Sequence, residues 1–194
     1  MPAAPVRMGS IASDVIIVGG GLAGLSAAIF LGRAQLRTIV FDKGESTIAP
    51  ITRVNNYLGF PDGIPGSELL ERGRQQAKKF GAEIRAERVQ RLRRSDAGPF
   101  QVSTEVGHYE AHHILVASNK NTAAAQDLGL TLTGRNNRFI GHDGHGRTSM
   151  PHVYVCGRIT EHPSQAAISV GSGAEVAITL IQDVRGEYYI DHDD

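Results

Sequence analysis

The chain has 194 residues, of which 41% are hydrophobic and 21% are charged, values typical of one globular domain with a packed core. Its 20 basic and 20 acidic residues balance to a formal net charge of zero, so the composition favours neither nucleic acid nor an anionic membrane surface as a partner. The single cysteine, Cys156, cannot form an internal disulfide or a Cys-x-x-Cys pair, and it fits a reducing, cytoplasmic compartment. We expect no membrane-spanning segment.

A glycine-rich turn near the N-terminus carries the strongest signal. The apolar, β-branched residues 15–18 predict a strand buried on both faces of a parallel sheet. Gly19, Gly21 and Gly24 follow with the spacing G-x-G-x-x-G. The first glycine permits a tight turn, the second lets a pyrophosphate approach the backbone, and the third lets the helix pack close to the strand. The helix N-terminus would offer free N–H groups to the phosphates.

An acidic residue completes this pattern. A second strand is predicted at residues 38–41, and Asp42 stands at its end, 23 residues after Gly19. A carboxylate about 20 residues after the glycines accepts hydrogen bonds from ribose hydroxyls. Because strand, glycines, helix, strand and carboxylate occur in order, the sequence predicts a dinucleotide site, although the pattern does not separate NAD from FAD.

The remaining elements predict an α/β, Rossmann-like FAD/NAD(P)-binding fold, with a central parallel sheet, helices and a small antiparallel β-meander. We expect a long polar loop at residues 43–66, then a helix from Ser67 to about Phe80 and strands at Ile84, 89–92, 100–104 and 109–116. A helix at 120–129 and a turn or hairpin at 136–149 should follow. The last elements are a strand at 153–156 and a helix from Pro163 to about Gln182. A single domain at residues 13–184 is expected, between a flexible arm at 1–12 and a polar tail at 185–194.

These stretches together resemble the FAD-binding domain of the thioredoxin-reductase-like pyridine nucleotide–disulfide oxidoreductases. The resemblance covers most of the chain, in family order, and it rests on residues 24–28, 56–61 (Asn-Tyr-Leu-Gly-Phe-Pro), 64–69, 76–77, 80–83, 114–118, 153–157 (Val-Tyr-Val-Cys-Gly), 165–166 and 171–174. Two separated signatures that agree in order are more specific than either one alone.

The chain also departs from this family in three places. The full-length reductases insert an NADPH domain with a Cys-x-x-Cys pair after the strand that here ends in Ala117, so this chain resembles the FAD domain alone. Where the family has Gly-Asp, whose carboxylate accepts a hydrogen bond from a ribityl hydroxyl, this chain has Gly157 and Arg158. Arginine has no acceptor, but it could pair with the pyrophosphate. Thr47 stands where the reductases usually have glutamine.

The resemblance implies FAD as the cofactor and assigns parts of it to residues. Asp42 would hold the adenosine ribose, the backbone of Val89 the adenine, and Asn56 the flavin ring or ribityl chain. Gln165 and Ala166, at a helix start, would face the flavin pyrimidine, where a helix N-terminus stabilises negative charge on a reduced flavin. The expected cofactor-binding residues are Gly19, Gly21, Leu22, Ala23, Gly24, Asp42, Lys43, Thr47, Asn56, Val89, Ala117, Gly157, Arg158, Gln165 and Ala166. The alternatives are an ordinary turn asparagine at 56 and a first-turn polar residue at 165.

Other reactive side chains receive structural interpretations. Cys156 lies within a predicted buried strand, where cysteine acts as a small hydrophobe more often than as a redox thiol. His142, Asp143 and His145 are interpreted as a solvated loop, and no metal site is expected. Five arginines between residues 85 and 94 indicate a solvated strand edge, with a docking patch for an acidic redox partner as the alternative.

Three functions follow from these observations. The first is a small FAD-dependent oxidoreductase that passes electrons between an external donor, NAD(P)H or a redox protein, and an unknown acceptor, with a homodimer left open. The second is a non-catalytic module that binds flavin or another nucleotide. The third is an NAD(P)-dependent dehydrogenase, which is weakest because no Tyr-x-x-x-Lys pair of the short-chain type is present. No catalytic residue can be assigned.

Overall fold

The computed structural model describes residues 13–94 and 98–190, so the predicted N-terminal arm and the end of the predicted tail lie outside the described residues. The chain begins with β1 (Ser13–Val18), α1 (Leu22–Arg33) and β2 (Thr38–Phe41). The later elements are α2 (Gly66–Lys79), β3 (Glu83–Arg85), β4 (Val89–Arg94), β5 (Phe100–Thr104), β6 (His108–Val116), α3 (Ala123–Asp127), β7 (Leu132–Thr133), β8 (Phe139–Ile140), β9 (Val153–Val155) and α4 (Ala166–Arg185).

A single sheet organises the described residues. The order β3-β2-β1-β6-β5-β4 places β1 between β2 and β6, and both of these strands run parallel to it. The first half of β6 pairs antiparallel with β5, and its last three residues pair parallel with β9. Strand β6 therefore joins the antiparallel meander β4-β5-β6 to the parallel core. This arrangement confirms the predicted α/β, Rossmann-like fold.

The apolar run in β1 forms the centre of the core, as expected for a strand that is covered on both faces. Val15, Ile16 and Ile17 have no exposed surface. Val15 and Ile17 face α1, α2 and α4, whereas Ile16 faces the side closed by the meander, α3 and β8. Since successive side chains of a strand point to opposite faces, this alternation puts helices on one side of the sheet and mixed structure on the other.

Two predicted helix boundaries are wrong. Helix α4 begins at Ala166 rather than at Pro163, because Glu161 adopts a left-handed conformation and the N–H of Gln165 bonds the Pro163 carbonyl in a turn. Helix α3 covers only part of the predicted range 120–129, since Ser118–Asn121 closes a turn before it. The predicted turn or hairpin at residues 136–149 is confirmed, although the hairpin already begins at β7. The segment after β8 is a turn in which Asp143 accepts N–H bonds from His145 and Arg147.

Helix α4 is long and apolar enough to cross a membrane by length and composition alone, contrary to our expectation that no segment would meet this test. In the structure its apolar residues Val176, Ala177 and Leu180 pack in the core beside α1. The two helices approach so closely that a Cβ at Gly173 would overlap the Ala23 carbonyl. The hydroxyl of Ser26 also donates to the Val170 carbonyl at 2.8 Å.

Two glycines of α4 test this close packing. A methyl group at Gly173 would meet the backbone of α1, and the Gly173→Ala variant should lower the free energy of unfolding by about 1–3 kcal/mol. Gly171 has no atom within 4 Å of an added Cβ, so Gly171→Ala should raise it by up to about 1 kcal/mol through helix propensity. Urea unfolding of both variants measures the difference, and equal effects would contradict the packing described.

A second testable feature is the half-buried His113 on β6, whose Nδ1 has no hydrogen-bond partner among the described residues. Burial, together with the neighbouring His152 and His112, lowers its pKa to about 4, although Asp14 and Asp183 oppose this effect. The folded protein therefore holds this ring neutral at pH values where an unfolded chain protonates it.

This pKa predicts a loss of stability in mild acid. Between pH 6.5 and about 4 the unfolded chain takes up a proton at His113 that the folded chain does not, so the free energy of unfolding falls as the pH falls. A His113→Leu variant should lose less stability between pH 7 and pH 5 than the wild type. His108→Leu, at an exposed position of the same strand, is the matched control for the loss of a histidine. Denaturant unfolding at each pH gives the comparison, and parallel curves for His113→Leu and the wild type would contradict the assignment.

Candidate functional site

A cleft of about 1060 Å³ opens at the carboxyl ends of β1, β2, β6 and β9. In open α/β sheets ligands bind beyond the carboxyl ends of the strands, where the strand order reverses, and β1 with neighbours on both sides is such a point. The cleft brings together fourteen residues expected to bind the cofactor: Gly19, Gly21, Leu22, Ala23, Asp42, Lys43, Thr47, Asn56, Val89, Ala117, Gly157, Arg158, Gln165 and Ala166. The remaining expected residue, Gly24, does not line it.

The glycines of the turn differ in what they permit. Gly19 has φ +113°, and a Cβ there would lie 2.5 Å from the Ala117 carbonyl oxygen. A Cβ at Gly24 would overlap the Gly19 carbonyl, so Gly24 serves helix packing rather than direct ligand contact. At Gly21 the nearest atom to an added Cβ is the Ser46 hydroxyl, at 3.6 Å. Gly21 therefore leaves open space in the cleft at the first turn of α1, as a pyrophosphate requires.

Asp42 lies at the end of β2 with only 8% of its side chain exposed. One carboxylate oxygen accepts the Gly44 N–H at 2.9 Å, and the other accepts from the Arg74 guanidinium at 2.9 Å. Arg74 comes from α2 and was not predicted, since nothing in the sequence indicates which residue of a separate helix reaches Asp42.

A second carboxylate, that of Glu87, lines the cleft beside Val89 and was also missed. It accepts hydrogen bonds from the hydroxyls of Thr104 at 2.6 Å and Tyr109 at 2.9 Å, and it faces Arg85. Burial raises the pKa of Glu87, but these hydrogen bonds and the Arg85 charge outweigh burial and lower it overall. Glu87 thus stays ionised at the end of the cleft where adenine is expected.

The other end of the cleft joins two segments far apart in the sequence. Asn56, in the loop that follows β2, donates through its amide to the side-chain oxygen of Gln165 at 3.0 Å. Gln165 is the N-cap residue of α4, although its side chain does not cap the helix. The predicted flavin-facing residues are therefore in contact at the N-terminus of α4. The loop itself is held by Val54 and Ile64, which pack with Leu69.

Arg158 follows Gly157, which is packed against the first turn of α1. A Cβ at Gly157 would lie 2.8 Å from the Cβ of Ala23, and the Gly157 N–H donates to the Ser172 hydroxyl at 2.9 Å. The Arg158 side chain is half-buried in the cleft and forms no hydrogen bond or ion pair with another described residue. Its position near the N-terminus of α1 suits a contact with a ligand phosphate.

The structural interpretation of Cys156 is confirmed. Its side chain is completely buried, and burial raises the pKa of the thiol to about 12, so the reactive thiolate form is suppressed at neutral pH. Strand β4 is the terminal strand of the sheet with Arg91, Arg93 and Arg94 exposed, as the solvated-edge interpretation predicts. Arg85 and Arg88 instead pair with carboxylates: Arg85 with Glu83 and Glu87, Arg88 with Glu45.

The predicted loop histidines are part of a structural turn. Asp143 pairs with Arg147, which also holds Asp183 of α4 through two bonds of 2.7 Å. His145 lies 3.9 Å from Glu175. No group of three or more metal-ligating side chains occurs within residues 13–94 and 98–190.

The lining fits an elongated anionic ligand. Among the described residues it includes five basic side chains, Lys43, Arg53, Arg88, Lys120 and Arg158, against three acidic ones, Asp42, Glu45 and Glu87. The volume lies at the upper end of the range of ligand pockets, which suits a dinucleotide more than a mononucleotide. An open glycine turn and a fixed carboxylate are groups that hold a dinucleotide such as FAD. Arg158, which has no side-chain partner among the described residues, adds a positive charge that can pair with a phosphate.

The fold and this cleft define an FAD-binding domain. Comparison with known families agrees, because the family described as FAD binding domain matches residues 14–50, which contain the glycine turn and Asp42.

The relatives identify the kind of FAD-binding domain as thioredoxin-reductase-like. The chain is 40% identical over 127 residues to the thioredoxin reductase of Mycolicibacterium smegmatis, covering 62% of this chain and 40% of the relative. It is 38% identical over 123 residues to NADPH-dependent thioredoxin reductase 3 of Arabidopsis thaliana, covering 60% of this chain and 23% of the relative. The atypical thioredoxin reductase of Desulfovibrio vulgaris Hildenborough shares the fold, with a TM-score of 0.79 and 23% identity over 90% of this chain and 98% of that one.

The length of the match limits what these relatives imply. The chain spans at most about half the length of the curated relatives described, from 23% in one case to 51% in the thioredoxin reductase of Schizosaccharomyces pombe. The solved structures support the shared fold, whereas the activity, electron donor and acceptor of the full-length relatives do not carry over to this chain.

Because the space at Gly21 is open, a substitution there should weaken FAD binding without lowering the free energy of unfolding. Because an added Cβ would meet nothing closer than 3.6 Å, the Gly21→Ala variant should retain the wild-type free energy of unfolding within about 0.5 kcal/mol. The methyl group would occupy the pyrophosphate position and should raise the Kd for FAD at least tenfold. Fluorescence titration of the apoprotein with FAD measures the loss. Unchanged FAD affinity would show that the pyrophosphate does not bind at this turn.

Proposed function

We propose that this chain is the flavin-carrying part of an oxidoreductase, which passes electrons through FAD between an external donor and an acceptor. The observation that carries the proposal is the continuous cleft, which runs from Glu87 past the glycine turn to the contact between Asn56 and Gln165. The end beside Glu87 suits the adenine of FAD, and the end beside Asn56 and Gln165 suits the flavin ring. A mononucleotide would occupy only one of these two ends.

When bound, FAD would supply reversible two-electron chemistry at its ring. The protein's part is to bind and orient the ring and to stabilise negative charge. The N-terminus of α4, at Ala166, presents unpaired backbone N–H groups and the positive end of a 20-residue helix to the cleft. The hydrogen bond between Asn56 and Gln165 fixes the polar edge beside it. No side chain of the described residues is assigned a proton-transfer role.

The electron donor in this proposal is NAD(P)H or a redox protein that approaches the ring from outside the chain. A relative whose name specifies dependence on NADPH supports the nicotinamide donor. The acceptor is not a dithiol of this sequence, which has a single, buried cysteine. We further propose a cytoplasmic location, supported by that cysteine, and a homodimer, which sedimentation velocity at micromolar concentration would test.

A non-catalytic flavin-binding module is the second candidate. It is favoured by Arg158, which stands where the resembling family has an aspartate that bonds the ribityl chain. If Arg158 replaces that bond by one to the pyrophosphate, affinity is preserved while the ring environment differs. Binding and turnover are therefore separate questions, and one experiment should address both.

The purified protein should show a visible flavin spectrum, and the released chromophore should be FAD. Anaerobic addition of NADPH or NADH should bleach that spectrum within seconds if the protein is an oxidoreductase using a nicotinamide donor. A flavin that is reduced by dithionite but by neither nucleotide nor a candidate redox protein would favour the non-catalytic module. A protein that neither contains nor takes up FAD would overturn both proposals.

Titration of the Arg158→Met apoprotein with FAD tests the contact between Arg158 and the pyrophosphate. Loss of a charge-assisted contact with the pyrophosphate should raise the Kd for FAD about tenfold and make it less dependent on salt concentration. Arg94→Met is the control, since Arg94 lies on the exposed strand β4 away from the cleft. Equal salt dependence in the wild type and in Arg158→Met would exclude the phosphate contact.

A further inference from the structure

Asp42 is held in one position from two sides, by residues that the dinucleotide-binding pattern does not include. The inference drawn from this observation rests on the proposed FAD function and adds to it the residues that select the sugar. An aspartate side chain on the surface would rotate freely about its two side-chain torsions, whereas 92% of the Asp42 side chain is covered.

The first of these residues is Arg74 of α2. Its guanidinium donates to Asp42 Oδ2 at 2.9 Å, and 26% of the arginine side chain is exposed. Arg74 does not line the cleft, whereas Asp42 does, so the arginine contacts the carboxylate from the side away from the ligand. Oδ1 accepts the Gly44 N–H, which fixes the plane of the carboxylate. Each oxygen keeps a further lone pair for a ligand hydroxyl.

The second residue is Gly20, the glycine between the first two of the pattern. A Cβ at Gly20 would overlap the Cβ and Cγ of Asp42, so any larger residue would displace the carboxylate. Gly20 has no positive φ and needs no special backbone freedom, in contrast to Gly19. The requirement at this position is therefore space for the Asp42 side chain.

We propose that Arg74 and Gly20 are positioning residues that hold Asp42 for recognition of the adenosine ribose, so that the cleft selects nucleotides with free 2′- and 3′-hydroxyl groups. Arg74 keeps the carboxylate oriented and compensates its charge within a covered site, where an unpaired charge would be costly. Gly20 leaves space for the carboxylate beside the glycine turn. Arg74 does not line the cleft, and Gly20, which does, acts on ribose recognition through Asp42.

The test compares two probes, ADP and 2′,3′-dideoxy-ADP, which differ only in the hydroxyls that Asp42 would bind. Isothermal titration of the apoprotein should show ADP binding about tenfold more tightly, the value of a hydrogen bond to a charged group. In Arg74→Met and in Gly20→Ala this preference should fall below about threefold, while the affinity for dideoxy-ADP changes little. Arg74→Lys should restore part of the preference.

Two further variants make the comparison specific. Arg72→Met removes an arginine from the same helix whose partner, Glu68, is exposed, and it should keep the full preference. In an Asp42→Asn background, Arg74→Met should have no further effect on the preference, because the carboxylate that it positions is absent. A structural defect would weaken both probes equally, which the dideoxy probe detects.

The outcomes separate this inference from the proposed function. Wild-type protein that binds FAD and prefers ADP, with the preference intact in Arg74→Met, would overturn the positioning role and leave the flavin function standing. Wild-type protein that binds FAD without preferring ADP would remove Asp42 from ribose recognition, and the inference with it. A wild type that binds neither FAD nor ADP would overturn the proposed function itself.

Discussion

The close approach of α1 to its neighbours is the constraint on which the rest of the structure depends. At one end of the helix, Gly24 packs against the Gly19 carbonyl, and this contact brings the N-terminus of α1 directly above the end of β1. On its side, Ala23 lies against Gly173 of α4 and Gly157 after β9. The two helix N-termini that face the cleft are therefore placed by contacts in which a single methyl group would not fit.

The carboxylates of the cleft explain how an anion-binding site can contain acidic residues. Asp42 and Glu87 are both covered, and each is matched with an arginine and with donors from hydroxyl or backbone groups. Their charges are thereby compensated within the protein. Arg158 has no such protein partner among the described residues, which leaves its positive charge directed to whatever occupies the cleft.

Sequence reasoning could identify the fold and much of the cleft lining because their signals are local. The β-branched run of β1 and the glycine spacing specify a strand, a turn and a helix within twenty residues, and β2 has the predicted bounds. The resemblance added distant residues such as Asn56 and Gln165, which no periodicity connects. Neither route could find Arg74 or Glu87, since their importance comes from contacts between elements that only the folded chain creates.

The errors in helix boundaries have a similar origin. Proline is favoured in the first turn of a helix, but at Pro163 the preceding left-handed Glu161 and a short turn delay α4 until Ala166. Gln165 consequently lies before the first residue of α4, where its side chain accepts a hydrogen bond from Asn56.

The unequal distribution of charge has a consequence for how ligands arrive. The chain as a whole is neutral, yet the described cleft lining carries two more basic than acidic side chains, which leaves the remaining sequence with a net charge of −2. A neutral chain thus has a local excess of positive charge along the cleft where a nucleotide would bind. Such a molecule attracts and orients an approaching anion before contact, and added salt slows capture of the anion without altering the fold.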